Sequence, residues 1–232
     1  VGSATNIADQ GLKLEENRAA ILEYDFADKK LTRYASGLRN PVGMDWNPNS
    51  GELWTVVNER DMLGSDLVPD YLTSVPYGAQ YGWPWIYWKK HIDDRVKAPM
   101  PQYLMEYTRK PEYGLGAHTA PLGLAFVNPL SRMGAAFPHG AFVARHGSWN
   151  RKPASGYDVV FVPFDDRGSP IVDKDEEGII KPGRPPLPVL SGFLTGNGEA
   201  RGRPAMLAFD KTGALLVSDD VSGIVWRVSA ES

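Results

Sequence analysis

Three copies of one short pattern constrain this chain more than anything else in it. Pro41-Val-Gly-Met-Asp-Trp-Asn-Pro-Asn-Ser-Gly-Glu-Leu-Trp-Thr-Val-Val is the first. Pro121-Leu-Gly-Leu-Ala-Phe, followed after a loop by Gly140-Ala-Phe-Val-Ala-Arg, is the second, and Pro204-Ala-Met-Leu-Ala-Phe-Asp-Lys-Thr-Gly-Ala-Leu-Leu-Val is the third. The prolines are spaced by 80 and 83 residues. Each copy reads as an apolar strand, a glycine-centred turn and a second apolar strand. Repetition of this kind marks an all-β array in which no unit buries its own face. A β-propeller of four-stranded blades hides most strand edges by radial stacking and fits best. The period exceeds the ~40–50 residues of common propeller repeats, so long connections must leave the blades, and those carry function.

The remaining strands follow from the repeats. Residues 18–26 and 31–38 read as a hairpin around Ala27-Asp-Lys-Lys. Residues 58–80 read as a long acidic loop, 81–88 as an aromatic β-prone stretch, and 103–107 as a strand closing the first full blade. The second unit predicts strands at 122–127, 141–146, 157–164 and about 187–193, with a polar Pro/Gly-rich excursion at 165–186. The third predicts 205–209, 215–219 and 224–228. No helix longer than two turns is expected. The count is three to four blades, below the roughly four to eight needed for closure. The whole chain, 1–232, therefore reads as a single incomplete propeller domain, the C-terminal part of a larger one. A preceding segment or another chain would complete the ring.

Composition narrows the function classes. A formal charge of −3 gives no electrostatic footprint for nucleic acid. There is no cysteine, hence no disulfide, thiolate nucleophile or thiolate-bound metal. No run of ~18 apolar residues is present to span a bilayer. Gly147-Ser-Trp is not a serine hydrolase elbow, and no Gly-rich nucleotide fingerprint occurs.

Three groups of residues carry candidate chemistry. The stretch from Asn58 to Asp70 packs Glu59, Asp61, Asp66 and Asp70 into a loop leaving the inner strands. Oxygen-rich loops suit a hard cation such as Ca²⁺, though a solvated acidic loop has the same composition. Arg39-Asn40 and Arg201-Gly-Arg203 precede the first strand of two repeats, so a blade places them on one face. Convergent guanidiniums form a carboxylate clamp, or else surface ion pairs. His118 precedes the second repeat and His146 follows its second strand, so each is a candidate general base or a structural loop histidine. His91 and His139 read as loop residues.

Gly37-Leu-Arg-Asn-Pro-Val-Gly, Asn58-Glu-Arg-Asp, Pro69-Asp, Tyr81-Gly-Trp-Pro, Ala117-His-Thr-Ala-Pro-Leu-Gly-Leu, His146-Gly-Ser-Trp-Asn-Arg, Gly202-Arg-Pro and Ser218-Asp-Asp occur in order. As a set they resemble the glucose/sorbosone dehydrogenase family, most closely its L-sorbosone dehydrogenase-like branch, from about residue 2 to the C-terminus. The resemblance implies a six-bladed propeller holding pyrroloquinoline quinone (PQQ) and Ca²⁺ in its central depression. It implies a periplasmic or secreted oxidoreductase acting on a sugar or sugar aldehyde. Arg39 and Asn40 match a pair lying against the cofactor, and Arg201 and Arg203 match a pair holding its carboxylates. Asn150 or Arg151 falls where the glucose-oxidising branch has a cofactor-binding lysine. Asp61 and Met62 fall where two backbone carbonyls bind Ca²⁺, with Asp70 and Tyr81 near further ligands. Met206 stands where a glycine is expected. The family's base is a histidine well before the Arg-Asn pair, and none of the 38 residues before Arg39 is histidine. The base and about two and a half blades are therefore expected upstream. Two rivals remain: a non-catalytic ligand-binding or interaction propeller, and a Ca²⁺-dependent lactone hydrolase.

Overall fold

The computed structural model describes residues 1–172 and 185–230. The hairpin β1 (Ala20–Asp25) and β2 (Lys30–Ser36) opens the chain. The first full sheet runs antiparallel in the order β3 (Pro41–Trp46), β4 (Leu53–Val57), β5 (Pro69–Ser74) and, further along the chain, β9 (Tyr113–Ala117). Between β5 and β9 lie three two-residue strands: β6 (Ala79–Gln80), which pairs parallel to β2, and β7 (Ile86–Tyr87) with β8 (His91–Ile92). A single helical turn, α1 (Leu104–Tyr107), follows them. The second sheet is a meander of β10 (Pro121–Phe126), β11 (Gly140–Arg145), β12 (Asp158–Pro163) and β13 (Leu187–Leu190). The third is β14 (Pro204–Phe209), β15 (Leu215–Asp219) and β16 (Ile224–Val228).

The repeats thus emerge as equivalent first and second strands of three sheets. All three first strands carry a register shift near the start, between Pro41 and Met44, Pro121 and Gly123, and Pro204 and Leu207. A bulge at that point bends the strand and increases its twist. Two expectations fail. The acidic stretch 58–80 is not all loop, because Pro69–Ser74 is the third strand of its sheet. Residues 103–107 contain the helical turn, and Tyr113–Ala117 closes the sheet instead. Part of the predicted 165–186 excursion lies outside the described residues.

The sheets stack face to face, and strand alternation feeds both faces. In β11, Ala141 and Val143 join Trp54, Leu72, Tyr113 and Phe126 in the core between the first and second sheets. Phe142 and Ala144 join Phe161, Leu215 and Val217 in the core between the second and third. A further core under the opening hairpin uses Ile21, Leu38, Val57, Tyr71 and Tyr81. Trp54, Phe126 and Phe164 meet edge to face, with centroids 4.9–6.2 Å apart. The aromatic stretch 81–88 mainly serves packing, with Tyr81, Trp83 and Ile86 buried.

The first strands of successive sheets nearly touch. A Cβ on Gly43 would lie 2.6 Å from the Leu122 carbonyl, and one on Gly123 would lie 2.5 Å from the Ala205 carbonyl. Glycine at these two positions lets the backbones approach. The matching residue of β14 is Met206, which is exposed, as are Ile224, Val225 and Trp226 of β16.

Candidate functional site

Antiparallel pairing puts the starts of β3, β5, β10, β12 and β14 on one rim, together with the ends of β4, β9, β11 and β15. Pro41 pairs with Val57, Pro69 with Ala117, Pro121 with Arg145, Arg145 with Asp158, and Pro204 with Asp219. Arg39, Asn40, Asn58, His118, His146, Arg203 and Asp220 all flank these ends, so the chain positions of Arg39, Asn40 and Arg203 share one rim. Asn58 fastens two sheets there by donating from Nδ2 to the Pro121 carbonyl at 2.8 Å. A larger cleft of about 670 Å³ lies at the opposite strand ends, lined by Ser131, Arg132, Phe137 and Arg227 among others. It holds none of the expected residues.

Asp61 is the hub of the rim. Its carboxylate meets Arg39 Nη2 at 3.3 Å, Asn150 Nδ2 at 2.9 Å and His118 Nδ1 at 3.5 Å. Arg39 also donates to the Glu59 carbonyl at 2.9 Å. These side chains, with Asn58 and Trp149, line a cavity of about 60 Å³. Two buried atoms of this cavity lining have no partner among the described residues, the Nε of Arg39 and the Oδ1 of Asn150. Trp149 is 73% exposed beside them, an open aromatic face.

The second cluster surrounds Arg203. Its Nη2 donates to the Tyr157 hydroxyl at 2.8 Å and its guanidinium lies over the Tyr157 ring at 4.9 Å. Its Nη1 lies 3.4 Å from His146 Nδ1, while His146 Nε2 sits 2.9 Å from Asp220. Asp219 sets the backbone by accepting from the Arg203 amide at 2.9 Å. A Cβ on Gly202 would come within 2.1 Å of that carboxylate, which is why the Arg-Gly-Arg spacing needs glycine. Arg201 is exposed, and its side chain has no partner among the described residues. Asn40 accepts the Asn58 amide through its carbonyl. Arg151 is turned aside, bonding the Ser65 carbonyl and Asp66 at 3.0 and 3.1 Å.

The expected Ca²⁺ ligands do not assemble. Asp70 lies inside β5, where its carboxylate accepts from the Glu59 and Ala120 amides, both at 2.8 Å. Burial pushes that carboxyl up to about 7, against those two bonds. Its work is local: it holds the turn from β9 to β10, where His118 and Ala120 adopt φ of 57° and 50°. The Tyr81 hydroxyl donates to the Ser74 carbonyl in the core. Asp66 is spent on Arg151. Both carbonyl lone pairs of Asp61 are used, by Asn6 Nδ2 at 2.9 Å and Arg95 Nη1 at 3.1 Å, and Arg95 Nη1 also reaches the Met62 carbonyl at 3.1 Å. Among the described residues no three His, Asp or Glu side chains converge as a metal site. These residues do not fit Ca²⁺ as placed.

The histidines are engaged. His118 is buried, with Nε2 on the Gly64 carbonyl at 2.9 Å and Nδ1 toward Asp61. A carbonyl partner makes Nε2 the protonated nitrogen. Neither ring presents an open nitrogen to the rim. Reasoning from sequence singled out neither Arg95, Asp220, Tyr157 nor Asn58 as a contributor. The Ser218-Asp-Asp motif pointed toward Asp220, whereas Arg95 lies in a segment with no repeat equivalent.

What this rim offers is guanidinium groups beside an open indole, a face suited to a planar, multiply anionic molecule. The comparisons agree with that class. The sequence model of the Glucose / Sorbosone dehydrogenase family matches residues 1–144, and a TrAA12-like model matches residues 102–231. The chain belongs to the glucose/sorbosone dehydrogenase family. The holo form of the pyranose dehydrogenase PQQ domain of Coprinopsis cinerea superposes with a TM-score of 0.75 at 25% identity, covering 99% of this chain and 66% of that one. The iodide structure of the Trichoderma reesei family AA12 protein shares the fold, with a TM-score of 0.77 at 22% identity, covering 97% and 62%. An uncharacterized protein of Borreliella burgdorferi is 30% identical over 223 residues, 93% of this chain and 53% of its own. The chain thus spans about half the length of that curated relative. No helix among the described residues is long and apolar enough to cross a membrane.

Proposed function

We propose that this chain supplies the cofactor-holding face of a PQQ-dependent dehydrogenase acting on a sugar or sugar aldehyde, as part of a larger propeller. The observation that carries this reading is the shared rim, where Arg39 and Asn150 line a cavity with the exposed Trp149 and Arg203 flanks the same strand ends in a second cluster. PQQ fits that set: it is a planar tricarboxylate, and each carboxylate needs a charge-assisted donor. Arg203 and Arg201, which has no side-chain partner among the described residues, would hold carboxylates. Arg39 offers an Nε with no partner among the described residues, Asn150 offers an acceptor oxygen suited to a ring N–H rather than a carboxylate, and Trp149 offers a stacking face. When bound, PQQ supplies the two-electron acceptor for the carbon that bears the substrate hydroxyl. The chain's own contribution is to bind and orient it and to keep Asp61 from repelling it, through Arg39. We place the proteins this chain belongs with in the periplasm or outside the cell, the expectation carried by the resemblance.

A second reading is favoured by the histidines. A general base needs an open nitrogen in reach of the substrate hydroxyl, and His118 and His146 both spend theirs on the protein. The chain assayed by itself is therefore expected to bind PQQ without turnover. The test is a PQQ titration followed by absorbance, run beside a dye-linked assay with aldoses and sorbosone. Arg203→Ala and Arg39→Ala should each weaken PQQ by about tenfold or more, the loss of one charge-assisted contact. Unchanged affinity in both variants removes the cofactor reading. Turnover lost in His146→Ala shows that this chain carries its own base.

A further inference from the structure

Behind the rim runs a row of alternating charges that ends at the two carbonyls expected to bind calcium. Glu59 meets Arg60 Nε at 3.1 Å. Arg60 is fully buried, and donates to Asp93 at 3.0 Å and to the carbonyls of Pro84 and Ile86. Asp93 is buried as well and is gripped in bidentate fashion by Arg95, Nε at 2.8 Å and Nη2 at 2.7 Å. Burial alone would raise the Asp93 carboxyl, but the Arg95 and Arg60 hydrogen bonds outweigh it and hold it at about 2. The remaining nitrogen of Arg95, Nη1, is the one shared between the Asp61 and Met62 carbonyls. The guanidinium is therefore fixed on three sides. It is no stray surface side chain folded onto convenient acceptors.

We infer that the Arg95 guanidinium is a built-in replacement for the divalent cation, so that this chain binds its quinone cofactor without calcium. Two carbonyls converging on one point make a seat for positive charge, and a metal or a guanidinium can take it. Here the second lone pair of the Asp61 carbonyl is held by Asn6. A metal ion entering would have to displace Arg95 and leave Asp93 with one cation fewer in a buried place, which is costly. Guanidinium stays charged at every physiological pH and is weakly hydrated, so it suits such a seat. The inference deepens the cofactor reading above and rests on it for the identity of the ligand.

The test compares PQQ binding by the purified protein in EDTA and in about 1 mM Ca²⁺, within the range of weak extracellular calcium sites. Calcium uptake is measured separately by equilibrium dialysis against radioactive calcium without PQQ. The wild type should bind PQQ with affinities within about twofold in the two buffers and take up no equivalent of calcium. Arg95→Ala should lose about tenfold in EDTA and recover in Ca²⁺, with Arg95→Lys in between. A gain of about tenfold for the wild type on adding Ca²⁺, or one equivalent of calcium held by the apo protein, overturns the inference. So does an Arg95→Ala protein that binds PQQ in EDTA as the wild type does. If no form binds PQQ, the cofactor reading falls, and the calcium uptake of the wild type still decides whether a metal takes this seat.

Discussion

Asp70 shows how a residue can carry a motif and yet act on the site only indirectly. From sequence it is one of four carboxylates in the stretch from Asn58 to Asp70, and a metal ligand is a fair reading. In the fold it is a buried strand residue whose oxygens are taken by two amides, and it fixes the left-handed turn that presents His118. Its carboxyl is raised to about 7 from a usual 3.8. The protonated form is favoured in the folded chain, so this contribution to stability is complete below pH 3.8 and is lost as pH rises through about 7. Chemical denaturation across that window should show stability falling with pH, and Asp70→Asn should remove that component. A wild-type slope that survives in Asp70→Asn assigns it elsewhere. Arg95 was invisible to sequence reasoning for a different reason. Its meaning depends on Asp93, on Arg60 and on carbonyls 33 and 34 residues away, and no local pattern encodes that convergence.

Among elements, the strands of the repeats were legible because short apolar runs with glycine turns leave few alternatives. β10, β11, β14 and β15 all lie within a residue or two of their predicted bounds, and β3 and β4 fall inside the first repeat. β5 was missed because Asp70 and the flanking acids make it look like loop. β9 was missed because Gly114 and Gly116 weaken a strand reading, and aromatic residues at 103–107 drew the strand there instead. The site benefits from the same regularity: residues just outside repeated strands must share a rim, so Arg39 and Arg203 were placed correctly before any contact was known. Gly202 gives an element-level test. Gly202→Ala sets a Cβ against the Asp219 carboxylate that holds the Arg203 amide. It should cost about 1–2 kcal/mol, comparable to a lost cap, measured by urea unfolding. It should weaken PQQ more than Leu207→Ala in the same strand does. Equal effects on PQQ from both would mean that Arg203 is not specifically positioned.

For the molecule as a whole, three stacked sheets and an opening hairpin share continuous cores, yet the third sheet leaves Met206 of β14 and Ile224, Val225 and Trp226 of its last strand β16 exposed. An unpaired strand with exposed apolar side chains is a place where another strand can pack. Taken by itself, this chain should therefore associate with rising concentration in sedimentation velocity, and Val225→Lys with Ile224→Lys should suppress it. A wild type monomeric at every concentration contradicts this. Met206 belongs to the same sheet, and the glycines that bring β3 against β10 and β10 against β14 have no counterpart there.

The rim is where the cofactor would bind. Crystals of the protein soaked with PQQ, grown and kept in EDTA, test it most directly. The account predicts planar density across the strand ends beside Trp149, with carboxylates on Arg201 and Arg203, contacts to Arg39 and Asn150, and Arg95 still seated on the Asp61 and Met62 carbonyls. Density only in the cleft at the opposite strand ends, or an empty rim at saturating PQQ, would contradict it.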